Sequence, residues 1–202
     1  MSNNMFFKLK RLWQAAVLRL IPAWIKPNQI TIFRLLLIPL VLYLLGIRLF
    51  IWSMLVFFLA AFLDIIDGAL ARGRNQSSTW GLILDPYADK LLTVLTILFL
   101  SIYYPDPLLP LLMIIADLMM LAAGGLTFIF LKNRAPQPAN WLGKGKMVCG
   151  VLAIILMYFV LLTGLIWLTA VANLIIVITM ILGFVSFTVY GINFVKQYVA
   201  GE

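Results

Sequence analysis

Residues 147–195 read MVCGVLAIILMYFVLLTGLIWLTAVANLIIVITMILGFVSFTVYGINFV, 49 positions without one charged side chain. As a single helix that run would be about 73 Å long, against roughly 30 Å of bilayer hydrocarbon. It therefore has to hold two membrane-crossing helices, with Thr163-Gly164 as the expected break.

Outward from that run, four more apolar spans are expected, at Gln29–Leu45, Leu49–Ala71, Thr79–Ile102 and Leu108–Leu131. Asn28 is a plausible N-cap for the first. The connections are Gly46-Ile47-Arg48, Arg72–Ser78, Tyr103–Pro107 and residues 132–146 (KNRAPQPANWLGKGK), the longest polar stretch. Composition agrees: 64% of the 202 residues are hydrophobic, 11% are charged, and the mean hydropathy is +1.10. A soluble domain carries about 25% charged residues, so a water-facing globule is excluded.

Residues 5–21 place Met5, Phe6, Leu9, Leu12, Trp13, Ala16, Val17 and Leu20 at helical spacing, with Lys8, Arg11 and Arg19 mostly elsewhere on the wheel. That pattern predicts an amphipathic interfacial helix. A signal peptide fits less well, because Arg19 interrupts the apolar region and no small-residue cleavage site follows cleanly. The expected fold is all-α and integral to the membrane: six transmembrane helices preceded by a cytoplasmic interfacial amphipathic helix. Residues 1–26 form the juxtamembrane segment and 27–202 the transmembrane domain.

Six spans put both termini on one side of the membrane. Fourteen of the 15 Lys and Arg fall on that side and only Arg48 on the other, so the positive-inside rule makes both termini cytoplasmic. The net charge of +8 thus records topology first, and nucleic-acid binding loses its support.

Histidine is absent and Cys149 is the single cysteine. Imidazole bases, Cys-His nucleophile pairs, standard zinc sites and an intrachain disulfide are excluded. Acid–base chemistry falls to the seven acids, four of which (Asp64, Asp67, Asp85 and Asp89) lie within 26 residues. Asp64 and Asp67 are three apart and Asp85 and Asp89 four apart, so each pair shares a helix face. A short cytoplasmic loop joins the two helices, which lets the acidic faces converge below the membrane surface. Carboxylates so placed repel one another and are costly to desolvate; one or two divalent cations compensate. All-oxygen ligands favour Mg²⁺, Mn²⁺ or Ca²⁺.

Gly68 and Ala71 follow Asp64 at i+4 and i+7, and Gly81 precedes Asp85 by four, leaving room for a ligand beside the metal or for close helix packing. Arg72, one turn beyond Gly68, is placed to hold a phosphate oxygen or to snorkel. Pro86 has two readings. If the helix begins near Thr79, proline frees the Leu82 carbonyl and kinks it; if the helix begins at Pro86, Asp85 is a cap.

The stretch Asp64-Ile-Ile-Asp67-Gly68-Ala-Leu-Ala71-Arg72, eight residues, Gly81-Leu-Ile-Leu-Asp85-Pro-Tyr-Ala-Asp89 matches D-x-x-D-G-x-x-A-R-(x)8-G-x-x-x-D-x-x-x-D without a departure. This resembles the signature of the CDP-alcohol phosphotransferase family. Pro27-Asn28-Gln-Ile-Thr31-Ile-Phe-Arg34 is similar to the family's usual entry into its first span. The resemblance implies that Asp64, Asp67 and Asp85 bind two divalent cations, Mg²⁺ or Mn²⁺, and that Asp89 shares the metal site and acts as general base. It implies a CDP pocket lined by Gly68, Ala71 and Arg72 with Gly81, joined by Ser78 and the Asn28–Thr31 segment. It also implies a homodimer in contact with membrane lipids, its cavity open to the cytoplasm of a cell inner membrane or its equivalent.

The ending Asp85-Pro86-Tyr87-Ala88-Asp89-Lys90 is similar to the version found both in the branch that uses CDP-diacylglycerol and glycerol 3-phosphate and in the cardiolipin branch, and the run Gly143-Lys144-Gly145-Lys146, at the start of the fifth span, is similar to the glycerophosphate branch. The alternative is the cardiolipin branch, whose acceptor is phosphatidylglycerol, or another CDP-alcohol phosphotransferase. A phosphate-bearing acceptor wants cations, and Arg34, Lys132, Arg134, Lys144 and Lys146 are available; positive-inside bias with anionic-lipid contact also accounts for them. Relatives in these branches often carry Arg before the aspartate of the fourth span, where Ala116 precedes Asp117 here. Asp117 is then open to partnership with an intramembrane Arg, Lys or hydroxyl. Two rival classes stay in view: a cation pathway, which needs intramembrane aspartates but no Gly68, Arg72 or Gly81 in register, and a non-catalytic lipid-binding scaffold.

Overall fold

The computed structural model describes residues 21–22, 27–74, 79–130 and 141–199. The expected amphipathic helix over 5–21 lies outside the described residues, apart from Ile21. The described chain is helical: α1 (Pro27–Gly46), α2 (Phe50–Arg74), α3 (Thr79–Tyr103), α4 (Leu108–Phe130), α5 (Trp141–Thr163) and α6 (Ile166–Val199). Among the described residues, four stretches are long and apolar enough to cross a membrane, at 29–46, 50–67, 141–163 and 166–189; shorter apolar stretches lie at 90–103 and 108–119.

The helix boundaries follow from local chemistry. α1 begins at Pro27, so Asn28 stands in its first turn and is not the cap expected from sequence. Proline suits the first helical position because its missing N–H has no partner there anyway. α1 ends in a Schellman motif: Arg48 N–H donates to Leu45 O at 2.9 Å and Leu49 N–H to Leu44 O at 2.9 Å, with Arg48 at φ 60°. α3 runs from Thr79, which places Pro86 inside it and decides between its two readings.

α5 corrects the expected polar connection. It starts at Trp141, so the last six residues of that connection are already helical, beyond the final proline, Pro138. The break inside the charge-free run falls where expected. α5 stops at Thr163 and Gly164 takes φ +66°, its N–H bonded to Val160 O at 2.9 Å.

The chain forms two compact units, 1–93 and 94–202. In the first, α1 packs on α2. The buried positions of α1 are Ile30, Thr31, Arg34, Leu37, Ile38, Val41 and Leu45, and those of α2 include Ser53, Phe57, Ala60 and Asp67. Three- and four-residue spacing makes each set one helix face. Ser53 Oγ donates to Val41 O at 3.0 Å within the seam. The opposite faces show Phe33, Leu36, Tyr43, Trp52, Leu55 and Phe62. Polar groups inside and large apolar side chains outside is the pattern of a chain solvated by lipid.

In the second unit α6 packs on both α5 and α4. Tyr104, in the turn after α3, is buried and its hydroxyl donates to Asn173 Oδ1 at 2.9 Å and Thr169 O at 3.3 Å; Asn173 Nδ2 donates to Asp106 Oδ2 at 3.1 Å. Burial, and then the Asp106 carboxylate, push the Tyr104 hydroxyl up to about 12. It therefore remains a donor at neutral pH and ties this turn to α6.

Gly164→Ala and Gly191→Ala are expected to differ in sign. At Gly164 the left-handed backbone costs an L-residue about 1–2 kcal/mol, which lowers the thermal midpoint in detergent. At Gly191 nothing lies within 4 Å of an added methyl and the helix gains propensity, by about 0.5–1 kcal/mol.

Candidate active site

The α1–α2 seam changes character at one end. From Leu45 to Leu37 on α1 it is apolar, and then Arg34 and Thr31 follow at i, i+3; on α2 it passes through Phe57 and Ala60 to Asp64 and Asp67, also at i, i+3. The Arg48 turn makes the helices antiparallel neighbours, so the two pairs meet. Arg34 Nη1 forms an ion pair with Asp64 Oδ1, and Thr31 Oγ1 donates to Asp67 Oδ2 at 3.2 Å. Ile30, Ala69 and Leu70, with Ile21, Leu63 and Ile66 against them, form an apolar cluster at this end of the seam.

Burial divides the two carboxylates. Arg34 is fully buried and Asp67 is 4% exposed, whereas the Asp64 side chain keeps 37% of its surface open. Asp64 thus has one oxygen tied inward and surface left for a ligand. Paired carboxylates one turn apart, one of them accessible, are donors suited to a hard divalent cation.

Asp85 and Asp89 lie one turn apart on α3, within the same unit as Asp64 and Asp67. Their side chains are outside the described residues, so the expected convergence of four carboxylates falls there too. Among the described residues no third acid joins Asp64 and Asp67. The side chains of Asn28, Ala71, Arg72 and Ser78, the surroundings of Gly68 and Gly81, and Lys132 and Arg134 also lie outside the described residues. Lys144 is exposed in the first turn of α5.

Lys146 is buried in the second unit, where its Nζ forms an ion pair with Asp117 Oδ1 of α4, both side chains less than a tenth exposed. This supplies the intramembrane partner that Asp117 required. Glycines make the room: a methyl at Gly183 of α6 would stand 3.3 Å from Lys146 Cε, and one at Gly150 would stand 3.4 Å from Met113 Cε.

Residues 24–185 match the model of the family described as CDP-alcohol phosphatidyltransferase. The chain belongs to this family. A protein of Aquifex aeolicus named CDP-diacylglycerol–glycerol-3-phosphate 3-phosphatidyltransferase is 33% identical over 115 residues, 56% of this chain and 64% of its own length. Proteins of the same name from Salmonella choleraesuis and Escherichia coli K12 are 33% and 34% identical, each over 63% of this chain and 73% of their own length. The chain thus spans just under two thirds of the first of these relatives and nearly three quarters of the others. Membership makes it a transferase of phospholipid synthesis.

For a member of the CDP-alcohol phosphatidyltransferase family, the described residues add partners that single-residue reading missed. The sequence points Thr31 to the nucleotide and Arg34 to the acceptor phosphate; in the structure Thr31 is bonded to Asp67 and Arg34 to Asp64, both signature aspartates. The available signal was the matched i, i+3 spacing, T-x-x-R facing D-x-x-D across a short turn.

Lys146→Met strands the Asp117 carboxylate and is expected to destabilise the protein by about 3 kcal/mol or more. Asp117→Leu/Lys146→Met, which removes both charges, recovers most of that loss. Thermal unfolding of Lys146→Met, Asp117→Leu and the double variant checks it: single losses that simply add in the double show that the charges are not coupled.

Proposed function

We propose that the protein transfers a phosphatidyl group from CDP-diacylglycerol to glycerol 3-phosphate, giving phosphatidylglycerophosphate and CMP. The observation that carries this reading is the unbroken pattern from Asp64 to Asp89 in a chain of this family. Three relatives named for that reaction support it. The D-P-Y-A-D-K ending is shared with the cardiolipin branch, so phosphatidylglycerol is the second acceptor to consider.

In the proposed site Asp64, Asp67, Asp85 and Asp89 hold one or two divalent cations, Mg²⁺ or Mn²⁺. When bound, these neutralise charge on the diphosphate and on the departing CMP. The chain's own residues do the rest. Gly68, Ala71 and Gly81 leave space for the cytidine diphosphate, and Arg72, with Ser78 and the Asn28–Thr31 segment, holds it. Asp89 accepts the proton of the acceptor hydroxyl as its oxygen forms the new bond to phosphorus; the bond to the bridging oxygen breaks, and CMP leaves with the electron pair. An aspartate of ordinary pKa, about 3.9, is a weak base at neutral pH, so Asp89 contributes mainly by position. Lys132, Arg134 and Lys144, with Lys146 if it leaves Asp117, are the cations for the acceptor phosphate.

With six membrane spans, the one-sided placement of Lys and Arg puts both termini and the active site on the cytoplasmic side. Homodimer formation belongs to the same reading.

CMP release from CDP-diacylglycerol and Mn²⁺ or Mg²⁺, with a panel of acceptors, is expected with glycerol 3-phosphate. Release only with phosphatidylglycerol moves the protein to the cardiolipin reaction, and none with any acceptor ends the reading. Asp89→Asn is expected to keep nucleotide binding and lose turnover about 100-fold or more; near-normal turnover refutes its role as base.

A further inference from the structure

A guanidinium with no exposed surface is an expensive group to keep in an apolar helix pair. Arg34 sits at position i+3 from Thr31, and this pair addresses both aspartates of α2: Arg34 binds Asp64 Oδ1 and Thr31 donates to Asp67 Oδ2. The cation is fully buried while its partner keeps 37% of its side chain open. The ion pair is thus one-sided. It fixes the inner part of the Asp64 carboxylate and leaves surface on which a second cation can sit.

We propose that Arg34 is a positioning residue, a built-in cation carried by α1 that turns the Asp64 carboxylate inward and lowers the affinity of the acid pair for a divalent cation. The inference rests on the metal-site reading of Asp64 and Asp67 given above. Two carboxylates alone present −2 to an incoming cation; with Arg34 they present −1. Arg34 offsets part of the carboxylate charge, and a metal arriving alone meets repulsion from the guanidinium. Even with the full dielectric constant of water, repulsion between a single and a double charge across one carboxylate is worth roughly a factor of ten in affinity. The diphosphate of the substrate brings the negative charge that offsets it, so metal and nucleotide strengthen each other's binding. Arg34 at its present position is also committed: it cannot reach an acceptor phosphate without releasing Asp64.

The test is Mn²⁺ alone, titrated into the detergent-solubilised full chain and followed by electron paramagnetic resonance, with thermal unfolding measured with and without Mn²⁺. Arg34→Gln keeps hydrogen-bond donors and loses the charge; it is expected to bind Mn²⁺ about ten-fold more tightly than the wild type and to gain more thermal stability from Mn²⁺. Arg34→Lys keeps the charge and is expected to bind within about three-fold of the wild type. Unchanged or weaker Mn²⁺ binding in Arg34→Gln, with an equal drop in unfolding temperature with and without Mn²⁺, overturns the proposal and makes Arg34 a packing residue. Should Arg34→Gln not fold, Asp64→Asn is compared with Arg34→Gln/Asp64→Asn, which buries neither charge alone. Tighter binding in the double variant supports the proposal and equal binding overturns it. Asp67→Ala separates the two levels. If it binds Mn²⁺ as the wild type does, the metal-site reading itself fails; if it loses Mn²⁺ while Arg34→Gln is unchanged, only the role of Arg34 fails.

Discussion

A charge held in an apolar medium has to be matched by another charge, and the described part of this protein follows that constraint wherever it buries a cation. Arg34 meets Asp64 in one unit, and Lys146 meets Asp117 in the other. Each match joins two helices and fixes their register more sharply than the surrounding leucines and isoleucines can, because lipid tails are as apolar as those side chains and give helices little reason to prefer one another. The seam of α1 and α2 shows the consequence. Apolar contacts at three- and four-residue spacing carry most of its length, and the charged pairs at its end set the rotation and stagger at which Asp64 and Asp67 are presented.

The same constraint connects architecture to chemistry. In the proposed reaction a diphosphate-bearing lipid is handled by carboxylates, and carboxylates in an apolar helix pair are stable only with compensation. Arg34 and Thr31 provide part of it from within the chain. In the proposed mechanism divalent cations and the substrate provide the remainder, so the features that stabilise the site and those that operate it are the same residues.

Among the described residues, the order and approximate ends of the helices were legible because apolar runs broken by Pro, Gly and charge are a strong one-dimensional signal. Gly164 marked the break in the 49-residue run. The errors arose where the signal is local and weak. Pro27 rather than Asn28 opens α1, and the polar connection expected to run to Lys146 ends at Trp141, where α5 begins. The aspartates were legible through their spacing and their match to a family pattern. Their partners were not, since composition gives the sign of a basic residue and not what it faces: Arg34 and Lys146 looked like ligands for an external phosphate and are bonded to internal carboxylates. Asp117 pointed the other way, because an isolated aspartate in an apolar helix demands a partner.

The central claim is that the signature aspartates form one divalent-cation site at the diphosphate. An anomalous-scattering map at the manganese edge, from crystals grown with Mn²⁺ and CDP, tests it most directly. One or two manganese peaks are expected, bonded to carboxylate oxygens of Asp64, Asp67, Asp85 and Asp89 and in contact with the phosphates. Manganese elsewhere, or nucleotide bound while these carboxylates contact only protein side chains, would contradict it.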